Sequence, residues 1–204
     1  MADLPFDLDP ALAERLGRAL DAEDKIPRAF EALGPVGDRD VVLVDTPSGI
    51  RTAQLESLGA RVRLVGPLTE QGFDASDASA DAVIGCWSAF RGAPAAELAE
   101  ARRLLRPDGR LLALHDYGRD DVTRLRGDQP EFEAWSRRDG PFLSIGFKLH
   151  VVHCWWTFDS LEEARGFLDE AFGQGGLDVA ATLRRPRLSY NVAIYHRGTE
   201  ALPS

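Results

Sequence analysis

The sequence predicts an α/β fold with a mostly parallel sheet, an antiparallel last strand and helices on both faces. Short runs that are apolar at every position alternate with segments of helical periodicity. A strand that is apolar on both sides is typical of the centre of a parallel sheet, where helices cover both faces. The last two predicted strands, near 177–184 and 189–196, are joined by too few residues for a parallel crossover. We therefore expect them to be antiparallel.

The first part of the chain contains helices and then the first strand. Residues 10–33 place large apolar side chains three and four positions apart, and Pro27 is expected to divide this stretch into two helices. Residues 1–36 are therefore predicted to be N-terminal helices. The run 41–44 is apolar throughout and predicts a buried strand. A helix at about 50–58 and a strand at 61–65 are expected to follow.

The middle of the chain repeats the alternation. Strands are predicted at 82–87 and 110–115, with a helix at 94–105 between them. The stretch 66–80 is rich in Gly, Ser, Asp and Ala and is predicted to be a loop. It is too short for a further strand and helix, so we expect about six strands in one domain spanning 1–204.

The last third combines charged, aromatic and helical segments. Residues 119–140 are highly charged and predict a helix over the mouth of the domain, and 147–158 is aromatic and rich in β-formers. Ser160 and Glu163 have the spacing of a capping box, which predicts a helix from there to about Phe172.

Composition narrows the class of protein. Apolar residues make up 44% of 204 residues, which is enough for a buried core, and the net charge of −9 argues against a nucleic-acid partner. The apolar runs are too short to cross a membrane, and the first residues lack the features of a signal peptide. We therefore expect a cytoplasmic protein. Cys86 and Cys154 have no nearby partner cysteine, so neither a disulfide framework nor a zinc ribbon is expected.

Three blocks of sequence resemble the class I S-adenosylmethionine-dependent methyltransferases. The block at 41–66 is similar to the first strand, glycine-rich loop, helix and second strand of that family. The block at 74–90 resembles its fourth strand, and the block at 98–118 resembles the helix, Pro-Asp-Gly turn and fifth strand. The resemblance covers 34–115 clearly and extends more weakly to 197. It implies a Rossmann-like methyltransferase fold with S-adenosylmethionine as cofactor.

The resemblance also places the cofactor loop, which departs from the family pattern. Gly49 falls on the last glycine of that loop, whereas Pro47 and Asp45 stand where the other two glycines belong. Leu43 replaces the acid before the loop, and Gly66 replaces the acid that holds the ribose hydroxyls. Either the cofactor site has been lost, or Asp45 serves a remodelled loop. The residues implied to bind the cofactor are Asp45, Thr46, Pro47, Ser48, Gly49, Gly66, Cys86 and Trp87.

His115 and Asp116, at the end of the segment that resembles the fifth strand of the family, are candidates for catalysis. His115 and Asp116 lie at the carboxyl edge of the sheet, where open α/β sheets bind ligands, and a histidine can act as a general base near neutral pH. The alternative is that His115 bonds a neighbouring loop and Asp116 begins a turn. Trp87 could wall the substrate pocket or pack in the core, and no cation is visible that would activate Cys86 as a nucleophile.

No metal site is expected. His150 and His153 are three apart on a predicted strand, so their side chains would diverge, whereas zinc needs convergent ligands. The resemblance implies that 119–158 covers the substrate. Its aromatic residues suggest an apolar or aromatic small molecule, and core packing or a homodimer interface explains them equally well.

The sequence therefore leads to two hypotheses of function. The first is a methyltransferase that acts on a small molecule, working largely by holding the acceptor in line with the methyl group. The second is a methyltransferase-fold protein that has lost S-adenosylmethionine binding and serves as a non-catalytic binding or interaction protein. A different enzyme built on the same sheet stays open as a third reading. The loop after the first strand distinguishes the first two.

Overall fold

The computed structural model describes residues 4–34, 36–44, 49–127 and 130–199. Asp45, Thr46, Pro47 and Ser48 therefore lie outside the described residues. The strands are β1 (Asp40–Val44), β2 (Arg61–Val65), β3 (Ala80–Cys86), β4 (Leu105–Asp116), β5 (Lys148–Thr157) and β6 (Arg187–Gly198). The helices are α1 (Pro10–Ala19), α2 (Lys25–Leu33), α3 (Ile50–Ser57), α4 (Ala95–Leu104), α5 (Thr123–Arg126), α6 (Pro130–Trp135) and α7 (Leu161–Ala180), with a 3-10 turn at Leu143–Ile145.

The six strands form one sheet in the order β2-β1-β3-β4-β6-β5. The four strands β2, β1, β3 and β4 are parallel, and β6 runs antiparallel between β4 and β5. The prediction of a mostly parallel sheet of about six strands with an antiparallel last strand is confirmed. Because β6 is antiparallel, its first residues lie at the same edge as the carboxyl ends of the parallel strands.

The three predicted central strands are neighbours and are buried. Val42 of β1 is aligned with Val83 of β3, which is aligned with Leu111 of β4. The side chains at 41–44 and 111–114 are at most 2% exposed. Alternate residues of these strands enter two separate cores, one on each face of the sheet, as a doubly covered parallel sheet requires.

The prediction of a strand at 177–184 is wrong. These residues belong to the end of α7 and the turn after it, and the antiparallel partners of β6 are β4 and β5. Gly173 has a φ of 54° and a ψ of −133°, which is not helical, so α7 consists of two helical segments that meet at a kink there. The first segment therefore ends near Phe172, as the sequence predicts. After the kink, Gly176, Val179 and Ala180 are buried at helical spacing, and this second segment replaces the predicted strand.

Two other boundaries differ from the prediction. The charged segment 119–140 contains two short helices, α5 and α6, in place of one. The first two helices are separate as expected, but the break lies at 20–24 and not at Pro27, which sits in the first turn of α2, where its missing N–H costs nothing. The cap at Ser160 is present: its hydroxyl accepts from the Glu163 backbone nitrogen at 3.0 Å. None of the described helices is long and apolar enough to cross a membrane.

Candidate functional site

A buried polar cluster lies at the carboxyl edge of the sheet, where the strands β3, β4 and β6 meet. Trp87 follows β3, Asp116 ends β4, and Tyr190 lies near the start of β6. The indole nitrogen of Trp87 is 3.1 Å from Asp116 Oδ1 and 3.0 Å from Tyr190 Oη. The Tyr190 hydroxyl donates to the same carboxylate oxygen. All three residues are at most 5% exposed, so the cluster is nearly closed to solvent.

Arg126 supplies the positive charge that this cluster needs. Its guanidinium forms an ion pair with Asp116, and it also lies 4.4 Å from the centre of the Phe6 ring. Arg126 Nη2 donates to the carbonyl of Pro5 at 3.0 Å, which ties the N-terminal segment to the site. A buried carboxylate is tolerated only when it is paired and hydrogen-bonded, and here Asp116 Oδ1 accepts from Trp87 and Tyr190 while Oδ2 faces the guanidinium of Arg126.

A cavity of about 290 Å³ adjoins this cluster. Its walls include Asp116, Arg126 and Tyr190 from the cluster, together with residues of the segment that the sequence predicts to cover a substrate. Phe132 gives it an apolar side, and Asp120 is committed to the backbone nitrogens of Thr123 and Asn191. Burial raises the pKa of Tyr190, so its phenol stays neutral and acts as a hydrogen-bond donor. The cavity suits a small molecule with both apolar and polar groups.

His115 points away from this cavity. Successive side chains of a strand point to opposite faces, so His115 and Asp116 enter different cores. The His115 ring is fully buried and packs edge-on against Trp135, with centroids 4.9 Å apart, and beside Phe142. Burial lowers the pKa of His115 to about 3, and the charge of Arg91 contributes in the same direction. The structure therefore places this candidate base in the aromatic core, as a neutral ring that does not face the cavity.

The ring of Trp87 also lies next to a buried cation, Arg51. The guanidinium of Arg51, in the first turn of α3, lies 5.3 Å from the centre of the Trp87 ring, and Arg51 is 1% exposed. The carboxylate of Asp21 is also buried near Arg51, and burial raises the pKa of this acid while Arg51 opposes the rise. Trp87 itself has a φ of 51°, an uncommon conformation for an aromatic residue and one that recurs at ligand sites. Trp87 therefore contacts both the cavity wall and the helix after the candidate cofactor loop.

Two of the candidate cofactor positions face open space. A β-carbon added to Gly49 or to Gly66 would meet no atom of the described residues within 4 Å. Gly49 has a φ of 78° and caps α3, as expected for the last glycine of a ligand-binding loop. Gly66 offers no carboxylate, and Asp77, an acid that could substitute, is held by Arg103 at 2.7 Å.

The structure thus divides the residues that the sequence proposed. It brings Trp87 and Asp116 together, buries Cys86 beneath them in the core, and directs His115 to the opposite face. Sequence reasoning missed Arg126, Tyr190 and Arg51. Arg126 lies in the charged segment 119–140, which predicts a helix over the mouth of the domain without marking this arginine, and Tyr190 carries no local signal beyond its place in a strand. Among the residues that the structure describes, no group of three or more His, Cys, Asp or Glu side chains could hold a metal ion.

Comparison with known proteins gives a consistent answer for the fold. No family model and no curated protein matches this sequence. Solved structures do match: a proposed type II methyltransferase from Anaeromyxobacter dehalogenans has a TM-score of 0.55 at 20% identity, with 87% of this chain and 97% of that chain covered. The fold is that of the S-adenosylmethionine-dependent methyltransferases.

Two further structures of this fold have similar coverage. A SAM-dependent methyltransferase from Aquifex aeolicus matches with a TM-score of 0.52 at 14% identity, over 93% of this chain and 98% of that chain. A proposed methyltransferase from an antibiotic biosynthesis pathway of Anabaena variabilis matches with a TM-score of 0.53 at 13% identity, over 88% and 99%. At these identities the methyltransferase fold is shared, and the chemistry must be argued from the site.

Proposed function

We propose that the protein is an S-adenosylmethionine-dependent methyltransferase that acts on a small molecule bound in the cavity beside Asp116. The observation that carries the proposal is the position of that cavity in a methyltransferase fold. It opens at the carboxyl edge of the sheet, beside β4, and Trp87 connects its wall to the helix that follows the candidate cofactor loop. Ligands of open α/β sheets bind at this edge.

The residues that would hold the cofactor are Gly49 and Gly66, with Trp87 as a wall, and Asp45–Ser48 contribute by sequence position. S-adenosylmethionine supplies a methyl group made electrophilic by the attached sulfonium. The chain's own contribution is placement: Arg126 and Tyr190 orient the polar part of the acceptor, and Phe132 packs on its apolar part. Segment 119–158 excludes water. Asp116 is already bonded to three donors, so we assign it the role of fixing these groups and not of removing a proton.

Affinity for the cofactor is expected to be low. The carboxylate that holds the ribose hydroxyls is replaced by Gly66, and a lost charge-assisted hydrogen bond costs about 1.5–3 kcal/mol. We expect S-adenosylmethionine to bind about tenfold to a hundredfold more weakly than to a family member with that acid. Titration calorimetry with S-adenosylmethionine and S-adenosylhomocysteine measures this directly.

Restoring the missing acid makes the experiment sharper. Gly66→Asp should tighten binding of S-adenosylmethionine about tenfold, because the position is open and its backbone needs no left-handed φ. Gly175→Asp is the matched control, since it adds the same charge at another open glycine with an ordinary φ. A tighter complex in the first variant alone supports the cofactor site. If S-adenosylmethionine binds neither to the unmodified protein nor to Gly66→Asp, the proposal is contradicted.

The second hypothesis, a binding protein without S-adenosylmethionine, is favoured by one observation. Arg51 places a buried cation on the face of Trp87, close to the candidate loop. The sulfonium of the cofactor is also a cation, and like charges in a poorly solvated site repel strongly. If calorimetry detects no cofactor, small molecules that fit the cavity should still shift the melting temperature through Asp116 and Arg126.

A further inference from the structure

A second pocket lies at the opposite end of the sheet from the candidate site. It encloses about 340 Å³, and its walls include Arg110 of β4, Lys148 of β5 and both His196 and Arg197 of β6. Asp116 lies six positions after Arg110 along β4, a distance of about 20 Å. The register pairs His196 with Lys148 and Gly198 with Arg110, so Arg110, Lys148 and His196 lie on one face of the sheet, and Arg197 lines the pocket from the other face.

The charge of this pocket is unusual for the protein that carries it. The whole chain has a net charge of −9, yet four of the seven residues that line this pocket are basic and one, Asp108, is acidic. Within the described residues none of the four forms an ion pair, whereas other arginines, such as Arg61 and Arg103, are paired with acids. Two nitrogens of the cluster, His196 Nδ1 and Arg197 Nε, are buried without a hydrogen-bond partner among those residues. Unpartnered buried nitrogens and clustered like charges both cost free energy, which a bound anion would recover by accepting from Arg197 Nε and by offsetting the positive charges.

We propose that this pocket, formed by Arg110, Lys148, His196 and Arg197, binds a phosphate group carried by a small molecule. A phosphate has nearly two negative charges at pH 7 and three strong acceptor oxygens, so it can contact donors that arrive from three different strands. The volume of the pocket, about 340 Å³, suits a small phosphorylated compound. The overall negative charge opposes a nucleic acid, which would need a basic face larger than this pocket.

The surroundings of His196 supply a reporter for this site. Burial lowers the pKa of His196, and nearby positive charges lower it further, those of Arg110, Lys148 and His150. Asp108 is the acid that lines the same pocket. An anion in the pocket favours the protonated ring, so binding should raise the pKa of His196. The chain has only four histidines, and the fully buried His115 provides an internal reference that should not move.

The test is titration calorimetry with inorganic phosphate, with sulfate and succinate as separate arms. Phosphate is expected to bind with a millimolar or lower dissociation constant, more weakly as salt is raised. Arg110→Gln and Lys148→Gln remove exposed cations and should each weaken binding about fivefold. Asp108→Asn removes the opposing charge and should strengthen binding, and asparagine tolerates the φ of 66° at this position.

Arg165→Gln is the matched control, because Arg165 is exposed on α7 and lines no part of this pocket. Weaker binding in the Arg110 and Lys148 variants, stronger binding in the Asp108 variant and a rise in the His196 pKa on adding phosphate would establish the site. Absence of phosphate binding, equal loss in the Arg165 control, or stronger binding of succinate than of phosphate would overturn the proposal. Thermal melting of each variant confirms that it is folded.

Discussion

The indole nitrogen of Trp87 donates to Asp116 Oδ1 over 3.1 Å, although the two residues are 29 positions apart in sequence. The bond joins the ends of two adjacent parallel strands, and Tyr190 of the antiparallel strand β6 joins the same carboxylate. This junction forms one wall of the cavity, so changes at its members should affect stability and ligand binding together.

Asp116→Asn should destabilise the protein by about 3 kcal/mol, because it leaves the guanidinium of Arg126, whose side chain is only 14% exposed, without its counter-charge. Urea unfolding followed by far-ultraviolet circular dichroism measures the change. The double variant Asp116→Asn/Arg126→Met should recover part of the loss, since methionine can still pack against Phe6 and Phe132. If the double variant loses as much as the sum of two single variants, the ion pair is not the cause.

His115→Phe should flatten the dependence of stability on acid pH. The folded pKa of His115 is about 3, below the value near 6.5 of an unfolded histidine, so the unfolded state takes up a proton first as pH falls. The contribution of the neutral ring is therefore fully present above pH 6.5 and is lost as pH falls toward 3, by up to a few kcal/mol. Chemical unfolding at pH 7.5 and pH 5 gives the comparison. An unchanged slope between these values in the variant would show that other groups control the acid limb.

Gly85→Ala should destabilise the protein by about 1–3 kcal/mol through overpacking. A β-carbon at this position of β3 would lie 2.5 Å from the Phe90 ring and 2.9 Å from the Ala89 side chain. Gly175→Ala is the matched control: its β-carbon meets nothing within 4 Å, and alanine is the better helix former, so the control should be neutral or stabilising. Thermal melting of both variants separates the crowding from the general effect of replacing a glycine.

Arg51→Met should strengthen binding of S-adenosylmethionine if the methyltransferase proposal holds, because it removes a buried cation from the neighbourhood of Trp87 and the candidate loop. We expect a gain of about tenfold, measured by calorimetry against the unmodified protein. Arg165→Gln serves as the control for a lost surface charge. A weaker complex in Arg51→Met would show instead that Arg51 contacts the ligand.

The central sheet could be predicted because its signal is local. The runs at 41–44, 83–86 and 111–114 are apolar on both faces, and only a strand between two helical layers buries such a run completely. The capping spacing at Ser160 is local in the same sense and gave the correct start of α7. The second segment of α7, after Gly173, could not be read in this way, because a glycine that ends one helix does not show whether a strand or another helix follows, and only packing decides.

The candidate site shows where local reasoning stops. The sequence by itself placed Trp87 and Asp116 at the carboxyl ends of buried strands, and the resemblance to the methyltransferases implied that these strands meet at one edge of the sheet. Only the tertiary structure decided that Arg126 and Tyr190 complete their cluster and that His115 leaves it. The physical reason is that β6 inserts antiparallel beside β4, which brings together groups up to 103 positions apart. A charged side chain that becomes buried must be paired, as Asp116 is with Arg126. The periodicity of the sequence does not show which charged side chains will be buried together.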